Sequence, residues 1–243
     1  QQAHFNNFTA NAIHFYPDAD YLKRPSEDIF WNIWGLYLFA EQPFIDAAEK
    51  TAKVRVFNPS VQTDGWSSQY STIYVNQRDM PFLVDSLRMA LNRRGLNIFT
   101  LQSNPVWVAR DAAGTVHEIS SSFVEGAEKE SLITIEVDLL SDREMNELER
   151  ELLLVLDDVG VVVDSYAAMR LRVEKLIEEL KKNAPKVEQL DESIAFLQWI
   201  YDGYFVFTGC AEFELHVDSD QVSLQEVAGS ACGVLQKYRG DLR

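Results

Sequence analysis

Residues 71–95, STIYVNQRDMPFLVDSLRMALNRRG, change their hydrophobic period once, at a single joint. The run Ile73-Tyr74-Val75 predicts a strand over Ser71–Asn76. After the joint, Met80, Leu83, Val84, Leu87, Ala90 and Leu91 recur at three- and four-residue steps, while Asp85, Arg88, Asn92 and Arg93 take the other side. A helix with one apolar stripe and one wet face must lie on a sheet and cover it from one side. Its ends are marked as well: Asp79 is placed to cap it, Pro81 falls in the first turn where a missing N–H costs nothing, and Gly95 follows as the C′ residue.

Residues 96–165 repeat the theme. LNIFTLQSNPVWVARDAAGTVHEISSSF reads as extended runs split by a turn around Gly114, and ESLITIEVDLL alternates as a strand. Ser141 and Glu144 form an S-x-x-E capping box, after which Met145, Leu148, Leu152, Val155, Leu156 and Val159 follow helical spacing. Strand, helix, two or three strands and helix, with both helices single-faced, predict an α+β fold: a ferredoxin-like antiparallel sheet with its helices on one face. Val159–Ser165 (VGVVVDS) reads either as a last strand or as helix continuing across Gly160, and its β-branched residues favour the strand.

Flanking segments complete the organisation. Pro25–Gln42 predicts a helix with Ser26 as N-cap and Phe30, Ile33, Trp34, Tyr37 and Leu38 on one face. Val54 and Val56 alternate in a short strand closed by Asn58-Pro59. Another amphipathic helix covers Tyr166–Asn183, with Met169, Val173, Leu176, Ile177 and Leu180 on one face. A charged linker with Pro185 follows it, then a short helix (LDESIAFLQWI) and a strand (YFVFTGCAEFELHV). The expected division is a helical N-terminal segment with a short strand (1–60), the α+β domain (61–164), a helical linker (165–189) and the start of a second, truncated α+β unit (190–243).

Composition narrows the function. The formal charge is −16, from 38 acidic against 22 basic residues. So acidic a surface repels phosphate backbones and anionic lipid, so neither nucleic acid nor membrane is an expected partner. There is no apolar run long enough to span a bilayer and no basic start followed by an apolar block, which makes a soluble cytoplasmic protein the expectation. Cys210 and Cys232, 22 residues apart without a CxxC, read as two reduced thiols, with Cys210 buried in an apolar strand.

The catalytic inventory is sparse. No two glycines stand as G-x-G, and GSACG at 229–233 lacks the spacing and the lysine of a phosphate loop. HVDSD at 216–220 sets His216, Asp218 and Asp220 at alternate positions, but a metal needs ligands from elsewhere, so it reads as a solvated strand end. Asp157-Asp158 reads as a solvated helix end. Trp31, Trp34 and Trp199 are spaced as core aromatics. No catalytic set, metal site or cofactor site is expected within these residues.

VRVFNPSVQTDGW, STIYVNQRDMPFLVDSLRMALNRRGLNI, NPVWVARDAAGT, ESLITIEVD and AFLQWIYDGYFVFTGCAEFEL together resemble the N-terminal region of the large bacterial NAD-specific glutamate dehydrogenases. The likeness covers about residues 54–217, and its DMPFLVDS block is its most specific part. The chain departs from the pattern at Ser103-Asn104-Pro105-Val106, where a histidine is expected before the proline, and at Gly160, where an arginine is expected. The resemblance implies ACT-type modules that sense amino acids and mediate contacts between domains and subunits. It also implies a polypeptide several times longer, whose catalytic domain lies downstream and oxidises L-glutamate with NAD.

Under that resemblance the joint becomes a candidate effector site formed by Asn76, Gln77, Arg78, Asp79 and Met80. A helix N-terminus carries partial positive charge and free N–H groups suited to an amino acid's carboxylate, and Arg78 adds a cation. Asp79 decides the matter: either it caps the helix and fills the anion site itself, or it turns aside and leaves that site open. A second reading has no ligand, with aromatic-rich Phe30, Trp31, Trp34, Tyr37 and Phe39 docking other domains or subunits.

Overall fold

A computed structural model describes residues 8–9, 24–44, 51–183, 189–218 and 221–238. The chain divides into two units, Gln1–Asp157 and Asp158–Arg243. The first is built on five strands: β1 (Lys53–Phe57), β2 (Ser71–Arg78), β3 (Ile98–Arg110), β4 (Val116–Ser120) and β5 (Glu128–Val137). They lie in the order β1-β2-β5-β3-β4, every neighbouring pair antiparallel. Among the described residues the sheet is accompanied by α1 (Ser26–Glu41), the short α2 (Val61–Asp64), α3 (Leu83–Arg93) and α4 (Asp142–Asn183). β2–α3–β3 and β5–α4 form the expected ferredoxin-like arrangement.

The edge beside β2 is filled differently from expectation. A ferredoxin-like unit places there the strand that follows its second helix. Here β1 takes that place, pairing Val54 with Val75 and Val56 with Ile73. Val159–Ser165 is therefore not a strand: α4 runs unbroken from Asp142 to Asn183, through Gly160 and the predicted helix at Tyr166–Asn183. With the β2 edge occupied, a strand at Val159–Ser165 would find no ladder there, whereas helical hydrogen bonds satisfy its backbone. Asp157 and Asp158 thus lie inside a helix rather than at its end. Asp158 accepts hydrogen bonds from Lys237 Nζ (2.7 Å) and the Tyr238 hydroxyl (3.0 Å).

Alternation sorts the sheet into two faces. Val54, Val56, Ile73, Val75, Ile133, Ile135 and Val137 share one face and are all buried, as are Leu83, Leu87 and Leu91 of α3 and Leu148, Leu152 and Leu156 of α4. The Ser141–Glu144 capping box that starts α4 is present: the Glu144 N–H donates to Ser141 Oγ (3.4 Å) and the Ser141 N–H to Glu144 Oε2 (2.8 Å). α3 ends as read, with the Leu96 N–H returning to the Leu91 carbonyl around Gly95.

The opposite face carries Phe57, Tyr74, Val106, Val108, Ile119 and Leu132, and α1 packs on it through Ile29, Ile33, Leu36, Tyr37, Phe39 and Ala40. Phe30 and Leu38, expected on the buried side, point outward. The stripe is turned because polar Asn32 faces the sheet, its Oδ1 2.7 Å from the Tyr74 hydroxyl. Pro25, not Ser26, is the cap residue of α1. Buried Lys53 and half-buried Arg110 hold the helix's C-terminal carbonyls. Lys53 Nζ donates to the carbonyls of Phe39 (2.9 Å), Ala40 (3.3 Å) and Gln42, and Arg110 Nη2 to that of Ala40 (2.8 Å) while also pairing with Glu130. Positive charge at a helix C-terminus opposes its dipole.

The second unit contains the later part of α4, then α5 (Leu190–Trp199) with a π-helical turn over Ile200–Tyr204. Two small hairpins follow: β6 (Gly209–Cys210) pairs with β9 (Cys232–Gly233), and β7 (Phe213–Asp218) with β8 (Gln221–Glu226). Residues 205–208, expected as strand, stand outside the ladders. Among the described residues no helix is long and apolar enough to cross a membrane.

Candidate functional site

The joint between β2 and α3 is where the sequence placed its candidate residues. Asn76 is fully buried on the α1 face, and both its side-chain nitrogen and oxygen lack a hydrogen-bond partner. Gln77, on the opposite face, is also buried with its Oε1 unpartnered. Buried polar atoms without partners are rare and costly, so two adjacent ones mark the joint. Arg78 is half-buried at the end of β2, opposite Glu130 in the register. Met80 is half-buried in the turn that follows.

Asp79 turns aside. Its N–H donates to the Lys129 carbonyl (2.8 Å), its Oδ1 accepts from Ser131 Oγ (2.6 Å), and its Oδ2 lies 3.1 Å from Lys129 Nζ. All three contacts tie the loop to β5, and none caps α3. The cap position belongs to Phe82, which gives no side-chain hydrogen bond and holds a left-handed backbone, φ 72° and ψ 0°. L-residues other than Gly, Asn and Asp seldom adopt that conformation. The first turn of α3 thus presents amide N–H groups that no side chain at its cap position has claimed. Geometrically, that turn can accept an anion.

A cavity of about 520 Å³ lies elsewhere in the same unit, bounded by α1, β1, β2 and the α2 turn. Trp31, Trp34, Phe57, Trp66 and Tyr74 supply its aromatic walls. Arg55 is the lining cation: its guanidinium stacks over Phe57 at 4.0 Å and bonds Asp64 Oδ1 at 2.9 Å. Gly65 closes the floor with φ +81°, and a Cβ there would come 2.6 Å from the Trp31 ring. Of the aromatic residues expected to dock partners, Tyr37 and Phe39 belong to the core, whereas Phe30 and Trp31 are exposed. The cavity joins residues from four elements, α1, β1, α2 and β2, and no local period in the sequence announces it.

Outside the first unit, His216 Nε2 lies 3.7 Å from Glu214. Among the described residues no three histidine, cysteine or carboxylate side chains converge to hold a metal; Asp220 of the HVDSD stretch lies outside them.

Residues 8–152 match the family described as glutamate dehydrogenase, ACT1 domain. The chain is also similar to two curated proteins named NAD-specific glutamate dehydrogenase. That of Halomonas elongata is 35% identical over 237 residues, covering 93% of this chain and 14% of the relative. That of Pseudomonas aeruginosa is 39% identical over 173 residues, covering 69% of this chain and 11% of the relative. The chain therefore spans only a small part of the length of the relatives it matches.

Proposed function

Because this chain belongs to the glutamate dehydrogenase ACT1-domain family, we propose that it is an N-terminal regulatory and assembly region of a large NAD-specific glutamate dehydrogenase. The parent enzyme oxidatively deaminates L-glutamate to 2-oxoglutarate and ammonia, reducing NAD on a catalytic domain outside these residues. This region supplies no catalytic group of its own. It works in the cytoplasm within a homo-oligomer, contacts other domains and subunits of the parent enzyme, and senses an amino acid.

The observation that carries the sensing role is the uncapped start of α3. Asp79 is engaged by Lys129 and Ser131, and Phe82 gives no side-chain cap, which supports an anion-accepting role for the first turn. An effector's carboxylate would take those N–H groups, with Arg78 as the nearby cation and the Asn76 and Gln77 amides as polar contacts. The aromatic cavity beside Arg55 is the competing location. Melting temperature measured against each of the twenty amino acids tests both, since a ligand that binds only the folded state raises it. A rise abolished by Arg78→Ala but kept in Arg55→Ala assigns the effector to the joint, and the opposite pattern assigns it to the cavity. If no amino acid moves the transition, the sensing role fails and the ligand-free docking role stands. Docking has its own support in β7–β8, where Phe213, Leu215, Val217, Val222 and Leu224 are all more than half exposed.

A further inference from the structure

Cys210 and Cys232 are directly opposite each other in the β6–β9 pair, with their Sγ atoms 2.6 Å apart. Glycines make this approach possible. Gly209 faces Gly233 in the same ladder, and Gly233 holds φ +63°, where a Cβ would collide with the Thr208 carbonyl oxygen and stand 2.8 Å from the Gly209 Cα. Cys232 is buried with Val162 and Met169, while Cys210 is half-buried and reachable. Arg172 reaches the pair from α4. Its Nη1 lies 3.3 Å from Cys210 Sγ and also donates to the Ser230 carbonyl, which fixes the guanidinium beside the thiol. Neither thiol belongs to the joint or to the aromatic cavity.

We propose that Cys210 and Cys232 are a redox site that closes reversibly to a disulfide on exposure to hydrogen peroxide, with Cys210 as the attacking thiol and Cys232 as the resolving one. The Cys210 thiolate attacks one peroxide oxygen, the O–O bond breaks, and the departing hydroxide takes a proton to become water, leaving a sulfenic acid. The Cys232 sulfur then attacks that sulfur. The S–O bond breaks as the S–S bond forms, and the hydroxyl leaves with the Cys232 proton as a second water. Two thiols are oxidised by two electrons in all, and one peroxide is reduced to two waters. A dithiol reductant reverses the change by exchange. Burial, and then the adjacent Cys232, hold the Cys210 thiol above the ordinary thiol range; Arg172 offsets only part of that rise, and its place beside Sγ is where a forming thiolate would be met. The closed form ties β6 to β9 across the segment that contains the β7–β8 hairpin.

The test uses the reduced 243-residue chain, treated with an equivalent of hydrogen peroxide and then with iodoacetamide. The expected product has lost two hydrogens, takes up no iodoacetamide, and melts higher by roughly 7–14 °C, as a closed loop of this size implies. Dithiothreitol restores both the mass and the melting temperature. In Cys232→Ser the sulfenic acid persists at Cys210 and is captured by dimedone, whereas Cys210→Ser gives no adduct at matched oxidant. Arg172→Gln slows Cys210 oxidation roughly three- to tenfold at neutral pH. Two alkylatable thiols after peroxide, or cross-links only between chains, overturn the proposal. Dimedone capture in Cys210→Ser but not in Cys232→Ser overturns the assigned roles, and an unchanged rate in Arg172→Gln removes the guanidinium's part.

Discussion

Phe82 holds a left-handed backbone while its side chain is 41% exposed. Glycine adopts that conformation without strain, and an L-residue spends about 1–2 kcal/mol on it. Phe82→Gly should therefore raise unfolding stability by up to about 1 kcal/mol after the glycine's own chain entropy is subtracted. Phe82→Val should lower it, which urea denaturation of the three proteins would decide. Asn76 is the reverse case, a buried amide with no partner for nitrogen or oxygen. Asn76→Val removes both unpartnered groups at similar volume and suits a strand, so it should gain roughly 1 kcal/mol in the same assay. It should also weaken any amino acid's effect on melting. Equal or lower stability would mean that the amide is satisfied in solution. Lys53 sets a pH dependence. Burial, and secondarily Arg110, lowers its ammonium from 10.5 to about 7, with Glu130 opposing. Between those values the unfolded chain holds a proton that the folded one has released. Stability should consequently fall as pH drops from about 10 toward 7 and lose this dependence below 7, with a slope of up to about 1.4 kcal/mol per pH unit. Urea titrations at pH 7, 8 and 9 on the wild type and Lys53→Met check it, and parallel slopes would exclude Lys53 as the source. None of this is written locally. Asp79 reads as a helix cap because an acidic residue precedes a helix, yet Lys129 and Ser131, about fifty residues away, claim it.

At the level of elements, β2, α3, β3, β5 and the start of α4 were legible because each carries its own period and its own end signals. The Ser141–Glu144 box and Gly95 act within a few residues, so the sequence suffices for them. Val159–Ser165 was not legible, since β-branched propensity is a weak local preference and the competing fact is that β1 already pairs with β2. The facing of α1 was misread for a similar reason: Asn32 turns inward only because Tyr74 of β2 meets it. β1 is therefore integral to the first unit rather than an appendage. A chain shortened to residues 61–243 would expose the β2 edge and the face that α1 covers. It should aggregate or elute as large species on size-exclusion chromatography, while the full chain does not. A monodisperse, cooperatively unfolding 61–243 protein would contradict the role given to β1 and α1. Inside α3, Leu87 is fully buried, and Leu87→Ala should cost about 3 kcal/mol in urea unfolding.

Across the whole molecule, the charge of −16 belongs to a chain that also exposes an apolar hairpin face in its second unit. Leu215 and Leu224 sit opposite each other there, 62% and 66% exposed. If the parent enzyme covers this face, the isolated chain should bind a hydrophobic dye, and Leu215→Thr with Leu224→Gln should reduce that fluorescence without lowering the melting temperature. Fluorescence unchanged by the double substitution would place the dye elsewhere. The position of β1 has a further meaning in the order of synthesis. Domains fold as the chain leaves the ribosome, N-terminal parts first. Here the edge strand emerges ahead of the three strands at the centre of the sheet, so nothing translated after the start of α4 is needed to close the sheet beside β2. A nascent chain that has released the start of α4 already carries β1 to β5, so β2 is paired on both sides and the sheet ends on β1 and β4 before the rest of the chain follows.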